Sequence, residues 1–132
     1  MAERHFTAEE ANAALEQVRP LAERMVELRR AIGAAQMQRA EALAAIAGNG
    51  GGVDRSELPR LEAEVQQAAV GISACVEALN ELGVVVKDMD EGLVDFPALR
   101  DGEEVLLCWQ LGEDEIRYWH GLEEGFAGRK PI

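Results

Sequence analysis

The chain has 132 residues, 48% of them apolar and only 5% aromatic, with a formal charge of −12; that length and apolar content belong to one folded unit and exclude a disordered segment. The charge is graded, because residues 1–48 are near balance while residues 49–83 carry about four excess negatives and residues 84–132 about seven. An acidic C-terminal third repels polyanions, so nucleic acid and anionic membrane are excluded as expected partners, and cations or basic protein surfaces fit better.

The first predicted element begins at a capping box, Thr7-Ala8-Glu9-Glu10, in which the Thr7 hydroxyl accepts from the Glu10 amide and the Glu10 carboxylate reaches back to the Thr7 amide. Leu15, Val18, Leu21, Met25, Leu28, Ile32 and Ala35 then recur at helical spacing, with a weaker continuation to Ile46. Pro20 interrupts this run, and a proline inside a helix costs about 3 kcal/mol. A kink or break is therefore expected there, dividing a short first helix from a longer arm.

A Gly-rich turn over residues 48–54 leads into a second helix of about residues 57–82, where Leu58, Leu61, Val65, Ala68, Ile72, Cys75, Leu79 and Leu82 form a heptad seam. Ser56 or Asp54 suits its cap, Pro59 its first turn and Gly83 its stop. The two arms match in length at about 40 Å each. They predict a long antiparallel hairpin, coiled-coil-like, over residues 8–83.

Past Gly83 the pattern turns to strands: Val84-Val85-Val86, then Leu93 to Phe96, Val105 to Trp109 and Ile116 to His120. Turns at Asp90-Glu91-Gly92, Arg100-Asp101-Gly102 and Gly112-Glu113-Asp114 separate them, which predicts a four-stranded antiparallel meander followed by a tail to Ile132. The expected fold class is α+β, mainly α, as a single unit: short helix, hairpin, then a small β-meander and tail over residues 84–132. Alternation on the strand at Leu106 to Trp109 leaves it apolar on both sides, hence buried on both.

Val26, Met37, Leu43, Val70 and Val76 lie beside the helical seam and widen its apolar face beyond what one partner helix covers. Pairing of two hairpins into a four-helix bundle is the natural solution, so a homodimer is expected. Cys75 and Cys108 are the only cysteines, no apolar run reaches the roughly 18 residues of a membrane span, and the N-terminus lacks a signal-peptide core. A cytoplasmic protein of bacterial type is the expectation.

The string Gly92-Leu93-Val94-Asp95-Phe96-Pro97, followed by Leu107-Cys108-Trp109, Gly112-Glu113, Tyr118-Trp119-His120, Gly125-Phe126 and Gly128-Arg129, is distinctive, as are Phe6-Thr7 and Glu10-Ala11-Asn12. With these residues the chain resembles the uncharacterised bacterial family DUF2203. The resemblance implies the division into helices and a small sheet, and brings no activity, cofactor or catalytic residue with it.

Donor side chains concentrate in the meander: Asp88, Asp90, Asp95, Cys108, Glu113 and His120. A divalent metal is the one cofactor they suit, with Asp88, Asp95, Glu113 and His120 as candidate ligands, although no paired ligand spacing marks a site and carboxylates in turns equally serve turn geometry. His120 with Asp95 or Glu113 has the residue types of a general base, or His120 caps a strand end. Cys108, between apolar neighbours in an acidic setting, reads as a packed thiol and not a nucleophile. Trp109, Tyr118, Trp119 and Phe126 form either a recognition platform or a sheet core, and the tail from Gly125 to Lys130 either offers Arg129 as a fork for a carboxylate or phosphate or, the favoured reading, packs Phe126 and leaves Arg129 solvated. Two readings follow: a non-enzymatic, dimeric protein-interaction or scaffold module with Asp95, Trp109, Tyr118, Trp119 and Arg129 as candidate binding residues, or a metal-binding protein or metal-dependent enzyme with its site between the β-unit and the short helix.

Overall fold

The computed structural model describes residues 2–48 and 55–132. Helix α1 runs Ala8–Gly48 and helix α2 Glu57–Glu81, and the two pack as a hairpin. Strands β1 (Val85–Asp88), β2 (Leu93–Arg100), β3 (Glu103–Gln110), β4 (Tyr118–His120) and β5 (Lys130–Pro131) follow in one antiparallel sheet, in chain order. This is the α+β, mainly α architecture expected from the sequence.

The capping box forms as read: Thr7 N–H donates to Glu10 Oε1 at 2.9 Å, and Glu10 N–H to Thr7 Oγ1 at 3.0 Å. Together these satisfy two of the amides that a helix start leaves unpaired. The α1 stripe of Ala11, Leu15, Val18, Ala22, Met25, Val26 and Ala35 is buried, as are Leu61, Ala68, Ile72, Cys75 and Leu79 of α2. Of the kink or break expected at Pro20, the break does not occur, since α1 is one helix through that residue and the short helix is its first segment. Pro20 and Glu16, whose carbonyl loses its partner, both lie on the exposed side of α1. A carbonyl on that side is open to solvent, so the lost bond does not end the helix.

Residues 49–54, with most of the expected Gly-rich turn and the candidate cap Asp54, lie outside the described residues; Ser56 occupies the N-cap without a side-chain cap bond. The end of α2 is a Schellman stop: Gly83 N–H donates to Asn80 O at 2.9 Å and Val84 N–H to Leu79 O at 3.0 Å, with Gly83 at φ 91°. Val84 is fully buried and is the apolar contact that accompanies this motif.

Two turns set the sheet. Asp101 and Gly102 both have positive φ (52° and 81°), the mirror-image turn that two-residue hairpins require, and they lock Arg100 opposite Glu103. Gly92, at φ 66°, brings its backbone within a methyl's reach of Leu111 and Val26, so the β1–β2 turn docks directly on α1. Val26, expected to sit on an open apolar face, is thereby covered within the chain.

Pro97 lies mid-strand in β2, yet its carbonyl accepts from Phe6 N–H at 2.7 Å on the side away from β3. The ring nitrogen faces that same side, so no ladder donor is lost. The meander has five strands and not four, because the tail returns to pair Trp119 with Lys130 and Tyr118 with Pro131. Helices and sheet share one core, in which Phe6, Val18, Met25, Leu79, Phe96, Leu107 and Trp109 meet, with Phe6 edge-on to Phe96 at 5.2 Å between ring centres.

Candidate functional site

Strand alternation divides the sheet into two faces. Val94, Phe96 and Ala98 of β2, Val105, Leu107 and Trp109 of β3 and Trp119 of β4 point into the shared core with the helices. The opposite face carries Asp95 and Pro97, Leu106 and Cys108, and Tyr118 and His120, since Asp95 pairs with Cys108, Cys108 with Tyr118 and Leu106 with His120. Asp95 and Cys108 are direct cross-strand neighbours, and His120 is the diagonal neighbour of Cys108 one strand further on. Such neighbours have side chains about 5 to 8 Å apart at their roots. One oxygen of Asp95, the Cys108 sulfur and one ring nitrogen of His120 therefore all come within 4.8 Å of one another.

All three side chains are buried, at 1%, 1% and 3% exposure. His120 Nδ1 lies 2.8 Å from the Gly121 carbonyl, which can only accept, so Nδ1 carries a hydrogen. Nε2 then stands 3.1 Å from both Asp95 oxygens. A bare lone pair facing a carboxylate would be repelled, so this spacing demands a proton or another cation between the two groups. Burial pushes the Asp95 carboxyl above its usual range, opposed by His120, Lys87 and Cys108. Burial, and next the Asp95 charge, push the Cys108 thiol up to about 11, against a pull from Arg129. At neutral pH the thiol keeps its proton, as the sequence suggested, and is no nucleophile. Among the described residues no buried side-chain nitrogen or oxygen lacks a partner.

The other candidates take structural positions. Asp88 accepts from the Asp90 and Glu91 amides at 2.8 and 3.2 Å and so shapes the β1–β2 turn, while Asp90 pairs with Arg29 at 3.2 Å. Glu113 binds Arg129 through both oxygens (3.1 and 2.9 Å) and accepts from Gln110 N–H at 2.7 Å. Trp109 is fully buried, its indole N–H donating to Glu113 O at 3.1 Å, which makes it core and not a platform. Trp119 is half-buried between Arg100 (4.5 Å) and Lys130 (4.7 Å). Tyr118 lies under the Arg129 guanidinium at 4.0 Å, with Phe126 on the same group at 4.2 Å. Of the four metal candidates, Asp95 and His120 converge, Asp88 and Glu113 do not, and Cys108 completes the group.

The Asp95–Cys108–His120 group does not lie between the β-unit and the first segment of α1. The inner face of the sheet is filled by Phe96, Leu107 and Trp109, and the polar cluster is on the far side of the sheet from α1, while an open cleft between α1 and the β3–β4 connection is lined by Asn12, Glu16, Arg19, Asp114 and Glu115. Asn12 makes the contact between α1 and the chain leading into β4, accepting from Ile116 N–H at 2.7 Å. The residues that carry the family resemblance near the N-terminus thus cap α1, fill the core and position β4.

A family model described as "Uncharacterized conserved protein (DUF2203)" matches residues 4–132. No curated protein and no solved structure matches the chain. Among the described residues, no helix is long and apolar enough to cross a membrane. The chain belongs to the DUF2203 family, as its C-terminal string indicated.

Proposed function

We propose that this DUF2203 member is a non-catalytic metal-binding protein that holds one divalent transition-metal ion, zinc by its donor set, at Asp95, Cys108 and His120. The observation that carries this reading is the convergence of oxygen, sulfur and nitrogen donors within 4.8 Å at a buried position. Thiolate and imidazole donors disfavour magnesium and calcium and suit zinc. Two ligand atoms about 2.0–2.1 Å from a tetrahedral ion lie roughly 3.3 Å apart, close to the 3.1 Å between His120 Nε2 and the Asp95 oxygens. The Nδ1–H bond to Gly121 O is the kind of outer contact that fixes a ligand histidine's orientation. Two protons leave on binding, the one between His120 and Asp95 and the one on Cys108, so the buried site keeps its net charge. Burial of all three ligands favours a structural role over turnover of a substrate, and the two unpaired cysteines fit a reducing bacterial cytoplasm.

Metal analysis of protein purified without chelator, followed by zinc titration of the stripped chain, tests the reading. It expects one ion per chain, lost in Cys108→Ser and His120→Gln; a wild-type chain without zinc affinity tighter than about 10 μM would refute it.

A second role rests on exposed apolar side chains along the hairpin, where Met37 and Val70 are each 68% exposed and Leu43 is 41% exposed. Such side chains suit self-association of two hairpins into a homodimer, leaving the acidic β-unit free for a protein partner. Light scattering should give a dimer that Met37→Glu with Val70→Glu converts to monomer. A wild-type monomer at micromolar concentration would remove this reading.

A further inference from the structure

The sheet face that bears Asp95, Cys108 and His120 is turned away from the helices, yet these side chains are almost fully buried. His120 is the last residue of β4, and the segment from Gly121 leaves it, forms a short 3-10 turn at Phe126–Gly128 and returns as β5. Arg129 reaches over the face from this segment. Its guanidinium grips both oxygens of Glu113 (3.1 and 2.9 Å) and sits on the rings of Phe126 (4.2 Å) and of Tyr118 (4.0 Å), the cross-strand neighbour of Cys108. Glu113 belongs to the connection between β3 and β4, so the pair ties the tail down across the strands that carry the site.

We propose that residues 121–129 are a latch over the Asp95–Cys108–His120 centre, held shut by the Arg129–Glu113 pair, and that its opening sets the rate of metal exchange; the proposal rests on the metal reading above.

The latch is built to move without the rest of the fold. None of residues 121–132 is buried, whereas the sheet beneath it is. Segments with few buried contacts open locally long before the core does. Its remaining ties are small: Lys130 to Glu124 at 2.6 Å, Gly121 N–H to Glu124 at 2.9 Å, the two-residue strand β5 and Ile132 N–H to Arg117 O at 2.9 Å. The Arg129–Glu113 pair is the strongest of them in kind, a forked contact with its side chains only 13% and 27% exposed. The ligand His120 is also the hinge residue, so an ion bound there and the closed latch hold the same backbone in place.

Zinc release from the loaded full-length chain into excess chelator, followed with a colorimetric zinc indicator, reads this directly. Glu113→Gln and Arg129→Gln should each speed release about tenfold, while Arg60→Gln on the hairpin leaves it unchanged. Hydrogen exchange on the wild type supplies a readout independent of any variant: zinc should slow exchange across residues 121–128. Release within twofold of wild type in both variants, or no zinc-dependent protection of the tail, overturns the latch while leaving the metal site standing. A wild-type chain that takes up no zinc overturns both.

Discussion

Replacing both members of the buried Asp95–His120 pair should cost much less than replacing either one. With His120→Leu, the Asp95 carboxyl stays buried without the ring that stands 3.1 Å from both its oxygens; with Asp95→Val, the His120 ring is left with an unmatched Nε2. Removing one partner of such a pair costs about 3–5 kcal/mol, whereas apolar replacement of both is often near neutral. At roughly 3 °C per kcal/mol for a chain of this size, each single variant should lower Tm by about 9–15 °C, and the double variant by only a few degrees. Urea midpoints in chelator, with unchanged m, give the same comparison in free energy. Zinc adds the second half of the test. At a free concentration about 100 times Kd it should stabilise wild type by about 2.7 kcal/mol, and none of the three variants by a measurable amount. Singles that cost under about 0.5 kcal/mol, or a double that costs their full sum, would refute the coupled pair. A zinc shift retained in the double variant would refute the ligand assignment.

The other expectations are smaller. Thr7→Ala removes one arm of the capping box and should cost about 1 kcal/mol in urea unfolding. Gly92→Ala forces a side chain onto a φ of 66° and to 2.8 Å from Leu111 Cβ, so it should cost about 2 kcal/mol and loosen the β1–β2 turn in hydrogen exchange. The Cys108 thiol, raised from 9.0 to about 11 in the fold, holds its proton more tightly there than in the unfolded chain. Its contribution is complete below pH 9 and is lost as pH rises through 11, so stability should fall over that window and Cys108→Ala should flatten the fall. A wild-type profile that is flat between those values would contradict the burial of the thiol.

Helical parts were legible because local chemistry decides them. The capping box needed only Thr7 and Glu10, the α2 seam only its three-four spacing, and the Schellman stop only Gly83 before an apolar Val84. Pro20 does not break α1, because the cost of a proline depends on where its orphaned carbonyl points, and here Glu16 and Pro20 are both exposed. The fifth strand was missed because it is two residues long and contains Pro131, with no periodicity to read. Two of the three candidate-site residues were within reach of the sequence. A two-residue turn at Asp101-Gly102 pairs Arg100 with Glu103, and counting five residues outward on each strand brings Asp95 opposite Cys108. His120 was not reachable that way, because the β3–β4 connection is long and its register depends on Asn12 and Ile116 meeting across the fold. The Asp95–Cys108–His120 group lies away from α1 for a simple reason: Phe96, Leu107 and Trp109 claim the inner face, and alternation then sends Asp95 and Cys108 outward.

X-ray absorption at the zinc edge on the loaded protein tests the central claim most directly. The account predicts one sulfur at about 2.3 Å with nitrogen and oxygen neighbours at about 2.0–2.1 Å, and loss of the sulfur in Cys108→Ser. A first shell of oxygen and nitrogen alone, or a wild-type chain that retains no ion, would contradict it.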